Sequence, residues 1–167
     1  MPYILTLLVS LSRLLPLPYG VAPVGGFALY AGSSLSLPRA IGLTMVPVLA
    51  GFVFVGAFNP IVMAAVALGF ALSTLAGRWF LAKRRTLVRG GAAVVTGALT
   101  FYFISNAGVW LAGYYPFTAA GLADSLIMGL PFLRIAIVAD AFYLMLMFGI
   151  DALGRRYAPH LFPALAR

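Results

Sequence analysis

Cysteine is absent from this 167-residue chain, histidine occurs once, and acidic residues number three. Without cysteine there is neither a disulfide scaffold nor a thiolate zinc site, and the single His160 cannot build a multi-histidine metal centre. No metal or other cofactor is therefore expected. Catalytic signatures are missing too. There are no carboxylate pairs at helical spacing, no nucleophile with a histidine partner and no phosphate-binding glycine loop, so the chain reads as a non-enzyme without an ATPase of its own. Charged residues make up 8% of the whole, against about 25% in a soluble domain. Too few are present to clothe a water-facing surface. What is abundant is apolar: 63% of residues are hydrophobic, which excludes disorder and describes an integral membrane protein.

The formal net charge of +8 invites a nucleic-acid reading, but the basic residues sit in the wrong places for it. Arg78, Lys83, Arg84, Arg85 and Arg89 form one cluster and Arg155 with Arg156 another, each flanking apolar stretches. That is how topology signals and contacts to anionic headgroups are arranged. No nucleic-acid partner is expected.

A membrane span takes about 20 mostly apolar residues. Residues 40–58, 61–77 and 90–111 contain no charge and predict three spans, and 132–150 predicts a fourth despite Arg134 and Asp140. Residues 2–15 and 21–34 are apolar but short, separated by the Pro16-Leu17-Pro18-Tyr19-Gly20 turn, and together form a candidate helical hairpin. Residues 112–131 open on the turn signal Gly113-Tyr114-Tyr115-Pro116 and then predict a short interfacial or re-entrant helix ending near Pro131. The expected fold is an all-α, six-helix transmembrane bundle, with four spans as the fallback. It is a single transmembrane domain over residues 1–157, followed by a short cytoplasmic tail over 158–167.

The positive-inside rule orients this bundle. With the 78–89 cluster in the cytoplasm of a bacterial inner membrane, both termini are cytoplasmic. Nine of the 11 basic residues then share that side, and the exceptions, Arg13 and Arg134, fall near the outer face. Ser10-Leu11-Ser12 resembles a small-x-small cleavage site, but Met1-Pro2-Tyr3 supplies no basic n-region, so the N-terminal segment is expected to stay in the protein.

Small residues recur every fourth position at Ala65, Gly69, Ser73 and Gly77, a stripe that lets helices approach closely in lipid, within the chain or with a partner subunit. Ala28 with Gly32, and Ala93 with Gly97, repeat the spacing. Ionisable groups in or beside spans are costly, which singles out Arg13, Asp124, Arg134 and Asp140. Asp151 and Arg155, four residues apart, read as an ordinary helix-end pair. The two outer arginines either snorkel to headgroups or share an outer cavity. A third reading has them holding backbone carbonyls freed at Pro16 and Pro131. Tyr19, Asn106, Trp110, Tyr114, Tyr115 and Thr118 collect on the same face. Tyrosine and tryptophan there are either belt anchors or pocket walls, and Asn106, inside an apolar span, needs a partner across a helix or in a cavity. With Arg13, Asp124 and Arg134 they make a candidate small-molecule site. One arginine is left over once Asp124 pairs with the other, so the expected solute is anionic or carboxylate-bearing.

Two stretches carry a family resemblance. The first is Arg13-Leu14-Leu15-Pro16-Leu17-Pro18, then Pro23-Val24-Gly25 and Leu29-Tyr30-Ala31-Gly32. The second is Phe103-Ile104-Ser105-Asn106-Ala107-Gly108-Val109-Trp110-Leu111, then Tyr115-Pro116-Phe117-Thr118, Gly121-Leu122 and Leu130-Pro131-Phe132. They resemble a family of small bacterial integral-membrane proteins of unknown function, described as transport proteins and similar to the substrate-binding (S) components of energy-coupling-factor vitamin transporters. The resemblance implies a six-helix S-component-like fold with a cavity near the outer face and an energy-coupling membrane subunit as partner. Where relatives carry an Asn-Phe pair before the proline of the first block and an Asp at the outer end of the third span, this chain reads Tyr19-Gly20-Val21-Ala22-Pro23 and Ala57-Phe58-Asn59-Pro60. That departure bears on the ligand. The functional expectation is small-molecule uptake or a substrate-binding subunit for it, and the rival is a structural or assembly protein of the membrane.

Overall fold

The computed structural model of the protein describes residues 2–15, 21–56 and 59–157. Those residues form six helices and no strand: α1 (Pro2–Leu11, continued by a 3-10 turn over Ser12–Leu14), α2 (Val24–Ser34), α3 (Leu37–Val55), α4 (Pro60–Leu81), α5 (Leu87–Leu111) and α6 (Ala119–Tyr157). Helices α3 to α6 are each long and apolar enough to cross a bilayer. At 1.5 Å per residue α2 extends about 16 Å, roughly half of a 30 Å hydrocarbon core, and α1 is no longer. The result is an all-α, multi-pass bundle with six helices and four full-length candidate spans, the fallback of the sequence reading. The 16–20 turn and the 158–167 tail lie outside the described residues.

Local sequence explains most helix ends. Asn59 caps α4, its side-chain oxygen accepting from the N–H groups of Ile61 (3.1 Å) and Val62 (3.3 Å), with Pro60 at the first helical position. Gly56 closes α3 with φ of +69°, a left-handed conformation that favours glycine. Thr86 caps α5 by accepting from the Arg89 N–H.

One expectation is corrected. The break foreseen at Gly129-Leu130-Pro131 does not occur: α6 runs through Pro131 as a single helix of 39 residues, about 58 Å long. Proline inside a helix removes one backbone donor, and membrane helices tolerate this because neighbours re-satisfy the freed group. The turn signal before it does operate, and residues 112–118 separate α5 from α6.

Helix α2 is the centre of the bundle. Ten of its 11 residues are buried, it packs against every other helix, and a helix apolar on all sides needs just such an environment. Small residues bring it close to its neighbours: Gly32 lies directly on the Thr74 backbone, and Gly77 on that of Leu29. The stripe on α4 is used within the chain, with Ala65 against Gly108, Gly69 against Phe101, and the Ser73 hydroxyl donating to the Gly97 carbonyl (3.2 Å). Helix α2 runs alongside α6 from Gly25 beside Asp140 to Tyr30, whose ring meets Phe148 edge-on at 5.5 Å. Its C-terminus reaches the basic end of the molecule. There Arg78 donates to the Leu35 carbonyl (3.2 Å) and Arg85 to the Ser34 hydroxyl (3.0 Å), cations placed where a helix C-terminus favours them. Asp151 pairs with Arg155 (3.0 Å), as its spacing implies, and lies 3.8 Å from Arg85.

Candidate functional site

The central helix begins only at the level of Asp140, 21 positions into α6, so among the described residues the half of the bundle farther from the basic loops has no core helix. A cavity of about 460 Å³ occupies that space, a size within the roughly 300–1,000 Å³ of small-molecule sites. Its floor is Ala22 and Gly25 at the head of α2, and its walls come from α3, α4, α5 and α6, with Arg13 entering from the end of α1. Apolar side chains dominate, among them Phe52, Phe70, Phe101 and Phe132.

Three side chains with substantial polarity enter it, each laid against a glycine of another helix. The guanidinium of Arg13 rests on Gly51, the carboxamide of Asn106 on Gly129 and the carboxylate of Asp140 on Gly25. A Cβ at any of the three would collide with the polar group. Glycine inside a helix costs about 1 kcal/mol relative to alanine, and here it makes the space these groups fill.

The polar groups differ in how far they are already satisfied. Tyr102 donates its hydroxyl hydrogen to the Leu126 carbonyl (2.6 Å), Asn106 donates from Nδ2 to the Tyr102 carbonyl (2.8 Å), and the Ser73 hydroxyl is bound to the Gly69 and Gly97 carbonyls. Arg13 is otherwise: its Nε is buried and has no hydrogen-bond partner among the described residues. Asp140 is 8% exposed, with the backbone N–H of Gly26 beside its carboxylate. Arg13 and Asp140 line the same cavity but do not form an ion pair; among the described residues the ion pairs are those of Asp151.

Of the residues grouped in the sequence as a candidate small-molecule site, the cavity brings together Arg13 and Asn106. Tyr19 lies outside the described residues. Trp110 stacks on Phe117 (4.3 Å between ring centroids) and donates from Nε1 to the Pro116 carbonyl (3.0 Å), which fixes the 112–118 turn. Thr118 accepts from the Gly121 N–H (3.1 Å) at the start of α6, and Tyr115 is half-buried in the same turn. Tyr114 lines a separate pocket with Phe52, Gly56 and Asn59. Asp124 is exposed. Arg134 is exposed as well, on a face of α6 that it shares with the outward Leu130 and Val138 at four-residue spacing, so it stands on the outside of the bundle rather than in the cavity. The sequence marks Asp140 as a costly ionisable group within a span, outside the grouped site; the cavity joins it to Arg13. Glycines interrupting otherwise good helix, as at 25, 51 and 129, were the available signal.

A sequence model described as a family of unknown function (DUF6580) matches residues 1–161 of the chain. No curated protein and no solved structure matches it.

Proposed function

The chain belongs to that family of unknown function, and from the geometry of its cavity we propose that it is a non-catalytic solute-binding protein of the bacterial inner membrane. It serves uptake of a small molecule, alone or as the substrate-binding subunit beside an energy-coupling membrane subunit. The observation that carries this reading is Arg13: a buried Nε without a partner on the wall of a 460 Å³ cavity. A guanidinium so placed recognises carboxylate or phosphate by paired hydrogen bonds, and the phenylalanines cover an apolar part of the solute. A metabolite panel in a thermal-shift assay on the detergent-solubilised protein tests it. One carboxylate-bearing class at about 100 times its Kd adds roughly 2.7 kcal/mol, which raises Tm by about 5–10 °C in a chain of this size. A flat response across every class would leave a structural or assembly role in its place.

In the proposed orientation the basic end lies in the cytoplasm and the cavity in the outer half of the membrane. Because the chain has no cysteine, Ala82→Cys and Gly113→Cys introduce unique thiols. An impermeant thiol reagent on whole cells is expected to label Gly113→Cys and spare Ala82→Cys; the reverse pattern would turn the protein over.

A further inference from the structure

Two ionisable side chains of opposite kind, Arg13 and Asp140, line one cavity, and among the described residues no ion pair joins them. A buried ionisable group calls for a compensating partner, and each of these two would be the nearest in kind for the other. Instead each is held on its own seat, Arg13 on Gly51 of α3 and Asp140 on Gly25 of α2, and no ion pair joins them. A simple anion would satisfy Arg13 and leave Asp140 in the same cavity without a counterpart. Building on the reading of the cavity as a solute site, we propose that it takes an amphoteric solute, an amino acid or a close relative, with its carboxylate on Arg13, its protonated amine on Asp140 and its apolar body against Phe52, Phe70, Phe101 and Phe132.

The chemistry of the lining favours an ammonium over a metal ion at Asp140. Hard cations need several oxygen ligands, and among the described residues no group of three potential metal-binding side chains exists. An ammonium needs one carboxylate and tolerates aromatic faces, which attract it through their negative quadrupole. The Gly26 N–H occupies only part of the carboxylate, whose two oxygens accept about four hydrogen bonds. The hydroxyls of Tyr102 and Ser73 already donate to backbone carbonyls, so Arg13 and Asp140 are the charged groups left to set the ligand's ends.

The test uses the full chain in lipid nanodiscs and equilibrium binding of matched sets. L-Phenylalanine is compared with 3-phenylpropanoate, which lacks the amine, and 2-phenylethylamine, which lacks the carboxylate. The other proteinogenic amino acids are each paired with the corresponding deaminated acid and decarboxylated amine. At least one amino acid is expected to bind tenfold or more tightly than both of its truncated partners, and Asp140→Asn is expected to bring the amino acid and its deaminated acid within threefold of one another. Should the variant fail to fold, the wild-type comparison decides alone. Acids that bind as tightly as their parent amino acids would reduce Asp140 to a cap for α2 and overturn the proposal while leaving the uptake reading in place. So would amines that bind without need of a carboxylate, or a panel in which plain anions bind and no amino acid does. Binding by no solute of any class would remove both readings.

Discussion

Replacing Gly32 with valine is expected to destabilise the protein by about 3 kcal/mol. A Cβ at Gly32 falls on the Thr74 carbonyl oxygen, and one at Gly77 falls on the Leu29 carbonyl. Both meet backbone, which cannot rotate aside as a side chain can, so α2 and α4 must separate along their whole crossing. The loss is then felt by every helix that packs on α2, because α2 is the common core. Thermal unfolding in detergent measures it, and the molecule contains its own controls. A Cβ added at Gly42, Gly90 or Gly149 would meet nothing within 4 Å, so alanine at these sites should be neutral or stabilising by about 0.5–1 kcal/mol. A Gly32→Val protein that melts with Gly42→Ala would show that the crossing is not tight.

Arg13→Ala is expected to weaken binding of a carboxylate solute about 100-fold, equivalent to roughly 2.7 kcal/mol, as for truncation of one partner of a buried charged hydrogen bond. The same substitution should leave the unliganded protein equally stable or more so, since it removes a guanidinium whose Nε has no partner in the resting structure. This pairing of effects separates ligand recognition from architecture. An arginine that held the fold together would lose stability without ligand. Arg13→Lys should retain stability and lose most of the affinity, because a single ammonium cannot offer the planar two-point contact of a guanidinium. Isothermal binding and thermal melts on the three proteins read both quantities.

Much of this architecture was legible in the chain, and what escaped had physical causes. Charge-free runs between basic clusters and prolines mark α3, α4 and α5 within a few residues, because length and hydropathy alone decide whether a helix can cross lipid. Pro131 misleads for the same reason that it is informative in water: a broken hydrogen bond is costly when nothing can replace it, and in a packed membrane helix something can. The lining of the candidate cavity was legible only in part. Arg13 and Asn106 stand out as polar residues in apolar sequence, but whether a side chain faces a cavity or lipid depends on helix rotation, which one apolar face after another does not report. Thus Arg134, as prominent in sequence as Arg13, stands on the outer face of α6. Asp140 needed the start of α2 beside it before its surroundings could be read, and α2 is too short to announce its depth.

The half-length of α2 also bears on how the membrane voltage is distributed through the molecule. In the proposed orientation, water entering the cavity would carry the potential of the outer side down to the head of α2, and the drop would be concentrated over the remaining 16 Å or so of packed Phe27, Leu29, Tyr30 and Ala31, all essentially inaccessible. An ion of unit charge leaving the cavity toward the basic end would cross nearly the full field, worth about 2.3 kcal/mol for each 100 mV. A solute carrying one charge of each sign crosses it with no net electrical work. Under the proposed uptake role an inside-negative potential would neither pull such a cargo nor hold it back, and the direction of movement would fall to concentration and to whatever reshapes the plug.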